Sequence, residues 1–193
     1  MKYVILEEAG SLSIRYEGPM LDLTTLGTIL FEIQAMIDRV SLALLAREGI
    51  VDAEKPWMMF KTPRPHIVQR TIGRGTNFDM RPVRVMARRI QSQSPLLQEL
   101  ILMVPAVLAD SNVRAILQGV IANVLTAIGA TGIRGLKASL RHEARPRDPI
   151  VDIGPEMRRL AVAIAQNANG QSARLLIKTE EMSVQLEIEA DND

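Results

Sequence analysis

Cysteine is absent from the 193 residues of this chain, and aromatic residues make up only 3% of it. The first absence excludes disulfides, thiolate metal sites and cysteine nucleophiles. The second weakens the case for a protein that reads single-stranded nucleic acid by stacking bases on aromatic rings. His66 and His142, the only histidines, lie in unrelated contexts without metal-ligand spacing. Because no nucleophile elbow, P-loop or dinucleotide fingerprint occurs, we predict a protein that is not an enzyme and needs no cofactor.

Charge and hydropathy are those of an ordinary globular protein, with a formal net charge of +1 and 47% hydrophobic residues. This composition predicts one domain over residues 1–189, with a short acidic tail at 190–193 that we expect to be disordered. An internal boundary near 145–150 is the alternative, because Arg and Pro alternate there. A run of only four apolar residues, 3–6, precedes Glu7, which is too short for a signal peptide. We therefore expect a cytoplasmic protein, with a prokaryotic source as the default.

Hydrophobic periodicity predicts an α+β fold in which helices cover an antiparallel sheet. Asp22 or Thr24 is the expected cap of a long helix that runs to about Glu48 and stops at Gly49. We expect three hairpins, at the N-terminus, at the centre and at the C-terminus, and four or five helices. The strands of these hairpins are 3–6 with 12–16, 66–72 with 76–80, and 173–178 with 182–188. The other helices are expected from Pro82, over 96–108, over 115–133 and from Gly154 to Asn169.

The window from Ala115 to Ile133 contains no charged residue. Its large side chains fall on one stripe with the spacing of an amphipathic helix, and small or weakly polar residues occupy the opposite side. We interpret the window as a core or assembly helix, with a membrane segment as the alternative. The candidate assembly face consists of Gly119, Ala122, Asn123, Thr126 and Ala130.

Charge is distributed unevenly along the chain. Eight basic residues lie between Lys61 and Arg89 against one acid, Asp79, whereas the segment from Glu180 to Asp193 holds six acids and no base. This asymmetry suits binding of phosphate or nucleic acid, and it suits equally a head-to-tail contact between subunits. The candidate interaction or anion-binding residues are Arg64, Arg70, Arg74, Arg84, Arg88 and Arg89.

The order of elements in the first two thirds of the chain resembles that of a loose set of uncharacterised bacterial proteins. The features that carry the resemblance are two short strands ending at Gly18, a long helix containing Leu26-Gly27, and Gly75-Thr76-Asn77-Phe78 ahead of apolar helices. Some genes of that set lie near phage-defence or mobile-element loci. The resemblance therefore implies a role linked to antiviral defence, and it carries over no functional residue.

Three hypotheses for function follow from these patterns. The leading one is a non-enzymatic protein that forms a homo-oligomer or joins a larger protein complex, as an accessory component of a defence system. A second is a membrane-perturbing effector that inserts an apolar helical hairpin, residues 96–133. A third is a nucleic-acid or nucleotide binder that uses the arginine-rich segment 64–89.

Overall fold

A computed structural model describes residues 3–5, 11–50, 83–91, 96–105, 111–131, 133, 136–142 and 151–189. These residues form seven strands and four helices, the second and third of which meet at Gly119. The strands are β1 (Tyr3–Ile5), β2 (Ser11–Glu17), β3 (Arg84–Gln91), β4 (Leu96–Pro105), β5 (Lys137–His142), β6 (Ala173–Lys178) and β7 (Met182–Ile188). The helices are α1 (Leu23–Arg47), α2 (Ser111–Gln118), α3 (Val120–Ala130) and α4 (Gly154–Ala168).

All seven strands belong to one antiparallel sheet with the order β3–β4–β2–β6–β7–β5. The short strand β1 extends the row of β2, because both run antiparallel to β4 on the edge that β3 does not occupy. Strand β2, from the N-terminal part of the chain, thus lies beside β6, from the C-terminal part, at the centre of the sheet. The predicted α+β class is confirmed.

One face of the sheet packs against the helices to form the core. Along β2, the alternate residues Leu12, Ile14 and Tyr16 are buried, and β6 and β7 show the same period of two. The buried residues of α1 belong to the same core cluster and recur at steps of three and four, from Ile29 through Ile33 to Val40. The opposite face of the sheet carries charged residues such as Arg15 and Arg174.

Helix α1 has the boundaries that its sequence predicts. Asp22 is the N-cap, and its carboxylate accepts hydrogen bonds from the Thr25 backbone N–H and hydroxyl, both at 2.8 Å. These bonds lower the pKa of Asp22, the backbone bond most. At the other end Gly49 takes a φ of +70°, a conformation that favours glycine. Helix α4 is also confirmed, with Pro155 in its first turn and Asn169 in the left-handed conformation at its end.

The strand pairing corrects three predictions. The two N-terminal strands do not form a hairpin with each other, because both pair with β4. The helices expected from Pro82 and over 96–108 are instead strands β3 and β4, which pair with each other. Strand β4 carries apolar residues at consecutive positions from Leu100 to Val104, so they occur on both faces and their run also fits helical spacing. A register shift between Ala87 and Arg89 interrupts the alternation in β3.

The uncharged window forms α2 and α3, broken at Gly119 rather than continuous. Its predicted large stripe is buried in the core, as the sequence indicates. The members of that stripe are Leu117, Val120, Ile121, Val124, Leu125 and Ile128. The expected central hairpin at 66–72 and 76–80, the boundary near 145–150 and the acidic tail at 190–193 lie outside the described residues.

Candidate interaction surface

An apolar stripe runs along the outward side of α1. Met20 and Leu23 are 95% and 85% exposed, and the Phe31 ring is 44% exposed. In a helix, residues four apart lie on one side, so Leu23, Gly27 and Phe31 follow each other along this stripe at steps of about 6 Å. In the part of the chain that the structure describes, only Ile5, Met86 and Val162 are comparably exposed large hydrophobic residues. We call Met20, Leu23, Gly27 and Phe31 the outer stripe.

The outward side of the first four turns of α1 carries no free charge. Between Leu23 and Ile37 the only charged residue is Glu32. Glu32 is buried and accepts two hydrogen bonds from Arg159 on α4, from Nε at 2.7 Å and from Nη2 at 2.8 Å. A solvated helix normally presents charged or polar side chains on its outer face. The outer face of α1 instead combines large apolar groups with threonine and glycine.

Gly27 makes a shallow gap in the middle of the outer stripe. Apart from the adjoining residues and the backbone of its own helix turn, a Cβ atom added at Gly27 would find no atom within 4 Å. The position is therefore open to solvent, with the side chain of Leu23 one turn before it and that of Phe31 one turn after it. Small residues at such positions allow a second backbone to approach closely.

Two ion pairs fix α1 against α4 behind the outer stripe. The first is the pair of Arg159 with Glu32. In the second, Arg39 Nη2 lies 2.8 Å from Glu156 Oε1. Arg159 Nη2 also lies 3.6 Å from Glu156 Oε1. Contact with Glu32 raises the pKa of Arg159 above its ordinary value. Both glutamates are buried, whereas both arginines are about half exposed. This arrangement orients the two helices relative to each other.

The segment before α1 is held in place by Asn167 of α4. Its Nδ2 donates to the Tyr16 hydroxyl at 3.1 Å and to the Met20 carbonyl at 3.4 Å, and its Oδ1 accepts from the Asp22 N–H at 3.2 Å. Burial raises the pKa of Tyr16, and the bond from Asn167 lowers it by a smaller amount. The Met20 side chain therefore extends into solvent from an anchored backbone. Anchoring in this way reduces the entropy that a contact would cost.

The predicted arginine-rich site is brought together only in part. Arg64, Arg70 and Arg74 lie outside the described residues. The backbones of Arg84, Arg88 and Arg89 lie on β3 rather than on the expected helix. At the start of that strand, the Gln34 side chain bonds to the carbonyl of Val83, which precedes β3, and to the N–H of Val85.

The predicted assembly face on α3 is only partly accessible. Ala122 and Ala130 are exposed, whereas Gly119 and Asn123 are half-buried. Thr126 is buried, which corrects its expected place on the outer face, and its hydroxyl donates to the Ala122 carbonyl. The Asn123 side chain likewise donates to the Gly119 carbonyl at 2.7 Å. Polar groups that bond to their own helix in this way are less available to a partner.

The helix predicted for α1 includes Leu23 and Phe31, but the sequence patterns do not single out these two residues or Met20 as exposed. The structure shows all three as exposed. The signal that could have found them is the near absence of charge between Leu23 and Ile37. That signal becomes visible only when the buried side of the helix is known.

Among the residues that the structure describes, one segment, Ser111–Ala130, is long and apolar enough to cross a membrane by length and composition, and half of its most apolar window is buried in this fold. Within the described part of the chain, no group of three or more His, Cys, Asp and Glu side chains could hold a metal ion. Comparison of the chain with protein-family models, with curated proteins and with solved structures gives no match.

Proposed function

We propose that this chain is a non-enzymatic protein that assembles with itself, and that the outer stripe of α1 is its main contact surface. The observation that carries the proposal is the uncharged, apolar outward face between Leu23 and Ile37. Scattered exposed hydrophobic residues are normal on a monomer, but a contiguous apolar surface is typical of an interaction site. The resemblance to defence-linked bacterial proteins supports an accessory role in a cytoplasmic defence complex.

The energetic argument rests on the side chains that are still exposed. Burying one large apolar side chain contributes about 1.5–3 kcal/mol. Met20, Leu23 and Phe31 together can therefore offset a substantial part of the roughly 4–15 kcal/mol lost on association. The contacts of Asn167 and Arg159 described above hold this surface in one geometry, which lowers the additional ordering cost.

The first experiment is a measurement of mass by light scattering after size exclusion, without detergent. We expect a discrete multiple of the 21.4 kDa chain. The double variant Leu23→Glu with Phe31→Glu should fall to the single-chain mass with an unchanged circular dichroism spectrum, because each carboxylate would lose its hydration in the contact.

Met86→Glu is the matched control, since Met86 is 43% exposed, close to the 44% of Phe31, but lies on strand β3. This variant should keep the mass of the unmodified protein. A wild-type mass of 21.4 kDa would contradict self-assembly. Loss of mass in Arg84→Glu with Arg88→Glu, but not in the α1 variant, would move the contact to the arginine-rich segment.

The second candidate function is membrane perturbation, and the length and composition of Ser111–Ala130 favour it. The expected helical hairpin is replaced in its first half by strand β4. Insertion would also have to withdraw the buried stripe, including Leu117 and Leu125, from the core. This function requires dye to leak from liposomes when the protein is added, and retention of dye under all activating conditions tested would count against it.

A further inference from the structure

We infer that the partner on the outer stripe is a second copy of this chain, related by a two-fold axis that passes beside Gly27. In this arrangement the two α1 helices cross in antiparallel orientation. The inference rests on the proposed function, and it adds the identity of the partner and the geometry of the contact. It follows from three properties of the outer stripe: its symmetry, its lack of charge and the direction of the helix.

The outer stripe is self-complementary about Gly27. Leu23 and Phe31 each lie four residues from Gly27, about 6 Å along the axis in opposite directions. A two-fold axis perpendicular to the helix therefore places Leu23 of each copy against Phe31 of the other. The open position at Gly27, where a Cβ would find no atom within 4 Å, allows the two backbones to approach.

Because the outer stripe carries no charge, the outer stripe of a second copy fits it better than the other surfaces of this chain do. An apolar face without charges loses least when it meets another uncharged face. The outward side of α4 presents Arg158 and Arg159, and the open face of the sheet carries Arg15, Glu17 and Arg174. The α3 face around Ala122 is also uncharged, but it has no large side chain to fill the gap at Gly27.

The direction of α1 favours the antiparallel crossing. A parallel crossing would bring the two helix N-termini together, with their partial positive charges and the two Asp22 carboxylates side by side. In the antiparallel crossing, the N-terminal end of each helix lies beside a more C-terminal part of the other helix. It also moves the two Asp22 caps to opposite ends of the contact.

Single cysteines test this geometry directly, because the chain contains no cysteine of its own. A disulfide needs Cα atoms within about 4.4–6.8 Å of each other, which a close crossing at Gly27 provides. Gly27→Cys should therefore form a covalent dimer on mild oxidation, at least about tenfold faster than Gln166→Cys on the exposed surface of α4. The open space at Gly27 makes the substitution compatible with the fold.

Direction is tested by Leu23→Cys and Phe31→Cys. Each variant alone should remain uncoupled, whereas a mixture of the two should give the mixed covalent dimer. Rapid coupling of Leu23→Cys with itself would show a parallel crossing and overturn the inference. Light scattering of the reduced variants checks that each still assembles before oxidation.

The failure of this geometry and the failure of the proposed function give different results. A mass of twice 21.4 kDa without coupling at Gly27 would overturn the two-fold contact and leave self-assembly standing. A mass of 21.4 kDa in every variant and in the wild type would overturn both. A series of masses that grows with concentration would indicate an open, heterologous contact and would also overturn the two-fold geometry.

Discussion

Gln34 should be one of the most sensitive positions in the fold, because its side chain connects α1 to the first residues of β3. The amide is buried, and its Nε2 donates to the Val83 carbonyl at 3.0 Å and to Asp38 Oδ1 at 2.9 Å. Its Oε1 accepts from the Val85 N–H at 2.8 Å. The side chain thus takes the place that a neighbouring strand would have beside the start of β3.

Gln34→Ala removes, in one step, the side-chain groups that bond to the Val83 carbonyl and to the Val85 N–H. One backbone carbonyl and one backbone N–H then lose their hydrogen bonds, and each unsatisfied buried group costs about 1–3 kcal/mol. We therefore expect the free energy of unfolding to fall by roughly 2–5 kcal/mol, allowing for partial access of water to Val85. This is a large part of the ~5–15 kcal/mol that stabilises a typical domain.

Urea unfolding followed by far-ultraviolet circular dichroism measures this loss, and hydrogen exchange at the Val85 amide shows where it occurs. Gln166→Ala is the control, because Gln166 is an exposed glutamine in helix α4. An unfolding free energy of Gln34→Ala within about 0.5 kcal/mol of the wild type would refute the reasoning. Unchanged protection of the Val85 amide would refute it independently.

Two further predictions concern the contacts around α1. The raised pKa of Tyr16 means that the fold stabilises the protonated phenol. This contribution to the free energy of unfolding is fully present below the ordinary tyrosine pKa of 10.0, and it is lost as pH rises through the pKa of the folded state. The urea midpoint should therefore fall more steeply above that pH in the wild type than in Tyr16→Phe, and equal slopes would contradict the assignment. Arg159→Lys keeps the charge but cannot make the two-bond contact with Glu32. Because Arg159 is half exposed, the expected loss is only about 1 kcal/mol, and an unchanged midpoint in a urea titration would show that the contact is not stabilising.

The elements that could be predicted from sequence are those whose hydrophobic pattern fits only one type of secondary structure. Helix α1 combines a cap at Asp22, a stop at Gly49 and a long helical period, and the C-terminal hairpin alternates cleanly through Val184 and Leu186. Strand β4 could not be predicted in this way, because a central strand with apolar residues on both faces matches a buried helix equally well. One of its neighbours, β2, is distant in sequence, and no local pattern indicates that pairing.

The outer stripe could not be predicted from sequence, for a different physical reason. A hydrophobic residue such as Phe31 fits the helical period of apolar residues whether it lies at the edge of the core or outside it. Its position depends on how far α4 covers α1, which is determined by pairs such as Arg159 with Glu32 that are remote in sequence. The charged segments were visible as composition, but composition does not indicate which element carries them, as Arg84 on β3 shows.

The pairing of β2 with β6 has a consequence for the order of folding. Ser13 lies opposite Lys178, so the central ladder of the sheet joins residues from the two ends of the chain. Such non-local pairing gives a high contact order, which slows folding. While the chain is being synthesised, β2 and α1 emerge long before β6 exists, and β2 then has one unpaired edge. The growing chain therefore passes through a stage in which this edge and the apolar side of α1 are open together, and it is then most exposed to aggregation.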